Sequence, residues 1–171
     1  PSHRPGPLTN PAGAPRQIIV VWHEALLEPL AHALIALGTE HAWVVHGSDG
    51  LDEVTTSGPT TVAEARDGTV RVFTLEPSDF GLETSQNLEQ LRGGNPRTNA
   101  QLIRAVLQNE TGARVAAARD LICANAAAAI FVGGLEDDLK TATERARESI
   151  LAGAALGKLE ALCAQTSSHE N

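Results

Sequence analysis

"HAWVVHGSDGLDE", residues His41 to Glu53, decides how this chain folds. Its first part is a nearly unbroken apolar run with paired valines, as expected of a strand buried on both faces. The run then breaks into a loop that holds Gly50 and three acids, Asp49, Asp52 and Glu53. Upstream, "QIIVVW" (Gln17–Trp22) has the same buried-strand character. Between the two runs, Leu26, Leu30, Leu34 and Leu37 share one helical face that ends at Gly38, a C′ glycine, with Pro29 in the second turn marking a weak start. A strand, a helix and a strand in that order imply parallel pairing with a right-handed crossover.

Downstream the pattern changes. "TTVAEARDGTVRVFTL" (Thr60–Leu75) alternates on either side of Asp67-Gly68, the signal of an antiparallel hairpin. Residues 76–96 read as loop with a helical turn, and the remainder as helix. Asn95 or Thr98 caps a helix through Leu107, Ala113–Val132 forms a longer one that ends at Gly133-Gly134, and a third follows within 135–153. In that third helix Leu139, Ala142, Ala146 and Ile150 share a face, and Glu136, Asp137 and Asp138 occupy the first turn, where the helix dipole favours anions. The run Ala126–Ala129 reads as part of a buried helix whose small side chains let neighbouring backbones approach.

The fold class is therefore α/β: a partly parallel sheet with an antiparallel hairpin, packed by helices, its C-terminal part mostly helical. "GPLTNPAGAP" (Gly6–Pro15), with three prolines and two glycines, makes residues 1–15 a connector or loose N-terminus. Residues 16–164 form the folded body, and 165–171 read as a loose tail.

Composition narrows the function classes. The 171 residues carry 21 acidic against 13 basic side chains, a formal charge of −8, and the basic ones are scattered, so neither nucleic acid nor an anionic membrane is an expected partner. No apolar run approaches the roughly 18 residues needed to span a bilayer, and the chain reads as soluble and cytosolic. There is no methionine, so the initiator was removed, replaced or never belonged to this stretch. Cys123 and Cys163 read as small buried thiols rather than a disulfide or a reactive pair.

The local candidate for chemistry is "HGSDGLDE". A loop at the carboxyl end of a buried strand is where open α/β sheets bind ligands. Its carboxylates suit Mg²⁺, which takes one or two of them together with substrate phosphate oxygens. Residue types alone leave two readings open, a metal site or a solvated acidic loop. His46 at the strand end reads as structural, His23, His32, His41 and His46 lack zinc spacing, and "RGGNP" (Arg92–Pro96) reads as a turn rather than a phosphate cradle.

Four segments, "GPLTNPAGAPRQ", "VVHGSDGLDEVTTSGPT", "LRGGNPRTNAQLIRAVL" and "ARDLICANAAAAIFVGGL", occur in the order and spacing of the C-terminal half of anthranilate phosphoribosyltransferases. The resemblance runs from about Gly6 to Leu162 and makes 16–164 the C-terminal part of that family's α/β domain. It implies transfer of the phosphoribosyl group from phosphoribosyl pyrophosphate to anthranilate in tryptophan biosynthesis, with Mg²⁺, by an enzyme that is a homodimer when complete. It also implies that Asp52 and Glu53 are the acidic pair that helps to hold the metal, which leaves no catalytic residue assigned within this chain. The family's small helical domain, its Gly-Thr-Gly-Gly-Asp phosphate loop and its anthranilate-binding arginine belong to the other half, and Arg4 does not match that arginine. This chain is thus expected to be a fragment or split half with little activity alone. The alternatives are a stand-alone, non-catalytic binding or interaction domain of the same fold, and a related phosphorylase acting on a nucleoside.

Overall fold

The computed structural model of the chain describes residues 8, 13–50, 53–85 and 91–167. Four strands form one sheet in the order β1 (Arg16–Val20), β2 (His41–Gly47), β3 (Thr60–Arg66) and β4 (Thr69–Leu75). β1 and β2 are parallel, with Arg16 opposite His41 and Val20 opposite Val45, whereas β2–β3 and β3–β4 are antiparallel. The hairpin turns at the expected pair: Asp67 and Gly68 both have positive φ, 50° and 74°, the two left-handed residues of a type I′ turn.

β2 is the centre of the molecule because both of its faces are covered. Trp43 and Val45 pack toward helix α3 (Ala113–Val132), with Val62, Phe80 and Leu82; Ala42 and Val44 pack toward helix α1 (Leu27–Ala36), with Ile19, Ala63 and Ala65. The result is three layers, helix on sheet on helix, as the apolar run in β2 requires. A separate cluster joins α3 to helices α2 (Pro96–Leu107), α4 (Leu139–Leu151) and α5 (Ala154–Ser167) through Val106, Leu107, Cys123, Ala146 and Ile150.

Three expectations change in detail. β1 stops at Val20 instead of running to Trp22, which is 74% exposed. The carbonyl of Val21 accepts from His46 Nδ1 at 2.8 Å, and the chain then turns into a 3-10 segment, Glu24–Leu26, capped by the His23 ring on the Ala25 N–H. That segment shifts the phase of α1, whose buried face is Leu27, Ala31 and Leu34, while Leu37 lies past its last turn at 63% exposed. Pro29 consequently sits in the first helical turn, where its missing N–H costs no bond. Gly38, φ 84°, closes α1 with the paired bonds Gly38 N to Ile35 O and Thr39 N to Leu34 O of a Schellman motif. At α4, Glu136, Asp137 and Asp138 precede the helix instead of lying in its first turn: Asp138 is the N-cap and accepts from the N–H groups of Lys140 and Thr141.

Contrary to the expectation that no apolar run reaches membrane-spanning length, helix α3 is long and apolar enough to cross a membrane by length and composition. In the fold it is a core helix. Ala124, Ala127 and Ala128 are fully buried, the sheet covers one side and α2 and α4 the other, and Asp120 pairs with Arg147 of α4 at 3.1 Å. Cys123 is buried, but Cys163 is exposed, contrary to expectation; no disulfide joins them. α5 runs three residues into the stretch read as a loose tail, and residues 1–7 and 9–12 of the connector lie outside the described residues.

Candidate metal-binding loop

The loop from Ser48 to Pro59 leaves the carboxyl end of β2 and returns into β3. Ser48 N–H closes its base on the Pro59 carbonyl at 3.0 Å, and Gly50, φ 84°, turns the chain back with its N–H on the Gly47 carbonyl at 3.1 Å. Gly58 packs so close that a Cβ there would meet Ser48 Oγ at 2.6 Å.

Two side chains brace the loop from opposite sides. Asp49 Oδ2 accepts from both the Thr55 and the Ser57 hydroxyls. Thr55 Oγ1 in turn accepts from Ser57 N–H at 3.0 Å, and Thr55 N–H donates to Thr60 Oγ1 at 3.0 Å. From α3, Asn125 Oδ1 accepts the Val54 N–H at 3.0 Å while Asn125 Nδ2 donates to the Val54 carbonyl at 2.9 Å. The Val54 side chain is fully buried in the core. The loop is therefore fixed at 49, 54, 55 and 57, and Glu53 directly precedes the anchored Val54.

Of that pair, Glu53 is half-buried, and Asp52 lies outside the described residues. Asp49, grouped with them by sequence, has one carboxylate oxygen committed to two hydroxyls and acts as a brace. No group of three or more His, Cys, Asp or Glu side chains that could hold a metal occurs among the described residues. That excludes, for these residues, an all-protein cage of the Ca²⁺ or Zn²⁺ kind. One or two carboxylates is the donor set of a Mg²⁺ site that takes its other oxygens from phosphate and water, so the residue types present fit that ion.

The remaining candidates fall into structural roles. His46 donates from Nδ1 to the Val21 carbonyl, which ties β2 to the end of β1. In "RGGNP", Asn95 caps α2 on the Thr98 N–H at 2.9 Å, and the Asn99 amide holds Gly94 N–H at 2.7 Å, as a turn requires.

A second polar cluster escaped the sequence reading. Glu64, only 7% exposed, accepts at Oε1 from Trp43 Nε1 and His41 Nε2, both at 3.0 Å, and at Oε2 from Arg71 at 3.0 Å. Burial raises its pKa, but the Trp43 and His41 hydrogen bonds and the Arg71 charge outweigh that, and the carboxyl stays below its ordinary value. Its signal was present: Glu64 is in phase with Thr60 and Val62 on an alternating strand, a charge at a core position. Asn125, the one amide among the apolar residues 121–132, was a second such signal.

Residues 5–156 match the family model described as the glycosyl transferase family, a/b domain. The chain belongs to this family. It is 50% identical over 163 residues to the anthranilate phosphoribosyltransferase of Azospirillum brasilense, covering 95% of this chain and 44% of that protein. The Rhodospirillum rubrum anthranilate phosphoribosyltransferase is 48% identical over 159 residues, 93% of this chain and 44% of that protein. Among solved structures, anthranilate phosphoribosyltransferase from Saccharomyces cerevisiae in complex with PRPP and Mg superposes with a TM-score of 0.83 at 32% identity, over 95% of this chain and 46% of that one. The Thermus thermophilus enzyme gives 0.77 at 37% identity, over 91% and 44%. The chain thus spans about half the length of the relatives it matches.

Proposed function

We propose that this chain supplies the metal-loop half of an anthranilate phosphoribosyltransferase, residues 16–164 being the C-terminal part of its α/β domain. The observation that carries the reading is the braced acidic loop at the carboxyl end of β2, on a fold that superposes on a relative solved with PRPP and Mg. The reaction displaces pyrophosphate from the anomeric carbon of phosphoribosyl pyrophosphate by the anthranilate amino nitrogen. Positive charge develops on the sugar and negative charge on the leaving group. Mg²⁺, when bound, offsets the charge that builds on the departing diphosphate oxygens.

Within this chain, Asp52 and Glu53 hold the metal through carboxylate oxygens and take no part in proton transfer. Asp49, Thr55, Ser57 and Asn125 hold the backbone that flanks Glu53, which reduces the ordering left to be done when substrate arrives. Substrate recognition and most of the transferring machinery then reside in the half that the relatives possess beyond this chain's match. Retention of the whole loop with both braces weighs against a stand-alone domain that has lost the reaction. A homodimer in the cytoplasm belongs to the same proposal, and the elution volume of the complete enzyme checks the first part.

The decisive assay follows loss of anthranilate fluorescence with phosphoribosyl pyrophosphate and Mg²⁺, using this chain alone and complemented with the N-terminal half of the Azospirillum brasilense relative. Turnover is expected only in the complemented sample, and turnover by this chain alone overturns the division of labour. In the complemented enzyme, Asp52→Ala with Glu53→Ala raises the Mg²⁺ concentration needed for half activity. An unchanged Mg²⁺ dependence in that double variant removes the metal assignment.

A further inference from the structure

Asn125 lies in the middle of α3, in a stretch from Leu121 to Val132 that is otherwise apolar. An amide in such surroundings carries a desolvation cost unless each of its polar atoms finds a partner. All of them do. Oδ1 accepts from Val54 N–H at 3.0 Å, and Nδ2 donates to the Val54 carbonyl at 2.9 Å and to the carbonyl of Leu121, one turn back, at 3.0 Å. One carboxamide thus takes both backbone groups of a single residue 71 positions away, as a neighbouring strand would. The bond to Leu121 fixes its own orientation on the helix.

The residue so held is informative. Val54 follows Glu53 directly, and consecutive Cα atoms are about 3.8 Å apart, so fixing the Val54 peptide groups fixes the start of the Glu53 side chain. Val54 also puts its own side chain into the core, fully buried. Asp49 constrains the other flank through Thr55 and Ser57. The backbone that follows Glu53 is therefore tied to α3, a 20-residue helix wedged between the sheet and α4, in addition to the bonds within the loop.

We infer that Asn125 is a positioning residue for Glu53, setting where this residue presents its carboxylate by clamping the Val54 backbone to α3. This rests on the metal reading above for its functional consequence, and on geometry alone for the clamp. Groups that orient metal ligands typically change metal affinity about 10- to 100-fold when removed.

Two readouts test it. In the 171-residue chain, Asn125→Ala is expected to speed amide exchange in peptides covering residues 48–58 while β2, β3 and the C-terminal half of α3 keep their rates. In the complemented enzyme, the same variant is expected to raise the Mg²⁺ half-saturation about 10- to 100-fold. Its kcat at saturating Mg²⁺ is expected to stay within about twofold. Asn125→Asp, which preserves volume and one acceptor but loses both donors, is expected to show the same loop-confined pattern, and it serves where the alanine variant does not fold. Exchange that rises uniformly through α3, the sheet and the loop marks a packing residue and overturns the inference. So does unchanged exchange in the loop, or a drop in kcat with the Mg²⁺ half-saturation unmoved. The metal reading fails separately: Asp52→Asn with Glu53→Gln then leaves the Mg²⁺ dependence unaltered while Asn125→Ala still loosens the loop.

Discussion

β2 carries a polar cluster at each end, and the two are built on opposite principles. Near its start, Glu64 is enclosed by Trp43, His41 and Arg71, with both carboxylate oxygens engaged and Phe131 packed edge-on against the His41 ring and tilted against Trp43. Beyond its end, the loop spends Asp49, Thr55, Ser57 and Asn125 on holding its own backbone and carries Glu53 at a half-buried position. A closed cluster stabilises the fold, whereas a braced loop with a half-buried Glu53 is the place where the proposed metal role puts binding. The two clusters thus differ in what they hold: the first ties side chains of β2, β3 and β4 to one carboxylate, whereas the second ties the loop to Asp49 and to Asn125 of α3.

Mutations break this comparison in graded ways. The largest effect is expected from Glu64→Ala, which leaves the His41 and Trp43 donors buried without their acceptor; a loss of about 3–5 kcal/mol in urea unfolding is expected, with the Mg²⁺ dependence of the complemented enzyme unchanged. A change in Mg²⁺ half-saturation in that variant would show that the two clusters are coupled. Next, Gly58→Ala pushes a Cβ onto Ser48 Oγ and is expected to cost about 1–3 kcal/mol. The double variant with Ser48→Ala recovers most of that loss if the clash is the cause, which a double-mutant cycle measures.

The pH dependence separates the clusters further. Because Glu64 has a lowered pKa in the folded state, its stabilising contribution is complete above the ordinary carboxylate value, about 4.3, and is lost as the pH falls through the lower folded value. Comparing acid unfolding of the wild type with Glu64→Gln is expected to show a shallower stability loss below about pH 4.3 in the variant. Equal slopes would contradict the assignment. The smallest effect is expected from Asp49→Asn, which retains an acceptor for both hydroxyls but trades charge-assisted hydrogen bonds for neutral ones, about 1 kcal/mol in thermal unfolding.

Much of this was legible in the chain. β2, the Asp67-Gly68 hairpin and the full extent of α3 follow from local pattern, because periodicity and turn chemistry act over a few residues, while the choice of Asn95 over Thr98 as the cap of α2 came from the structure. The phase of α1 was not, since a 3-10 turn ahead of the helix, closed by the His23 ring, shifted which leucines face the sheet. The acid pair was recognisable by type and by resemblance, but its support was not: Asn125 and Val54 stand 71 residues apart, beyond the reach of any local motif.

The sequence by itself determined the strand and helix order, the acidic loop at the end of β2 and the family from which its chemistry is read, because those depend on residue type and near neighbours. Tertiary structure alone decided which acids are occupied. Asp49 became a brace when the loop brought Thr55 and Ser57 onto it, Glu64 became a buried anchor when register placed it opposite Trp43 and Arg71, and Asn125 became a clamp when α3 packed across the loop. A side chain's type fixes what bonds it can make, but only packing supplies the partner.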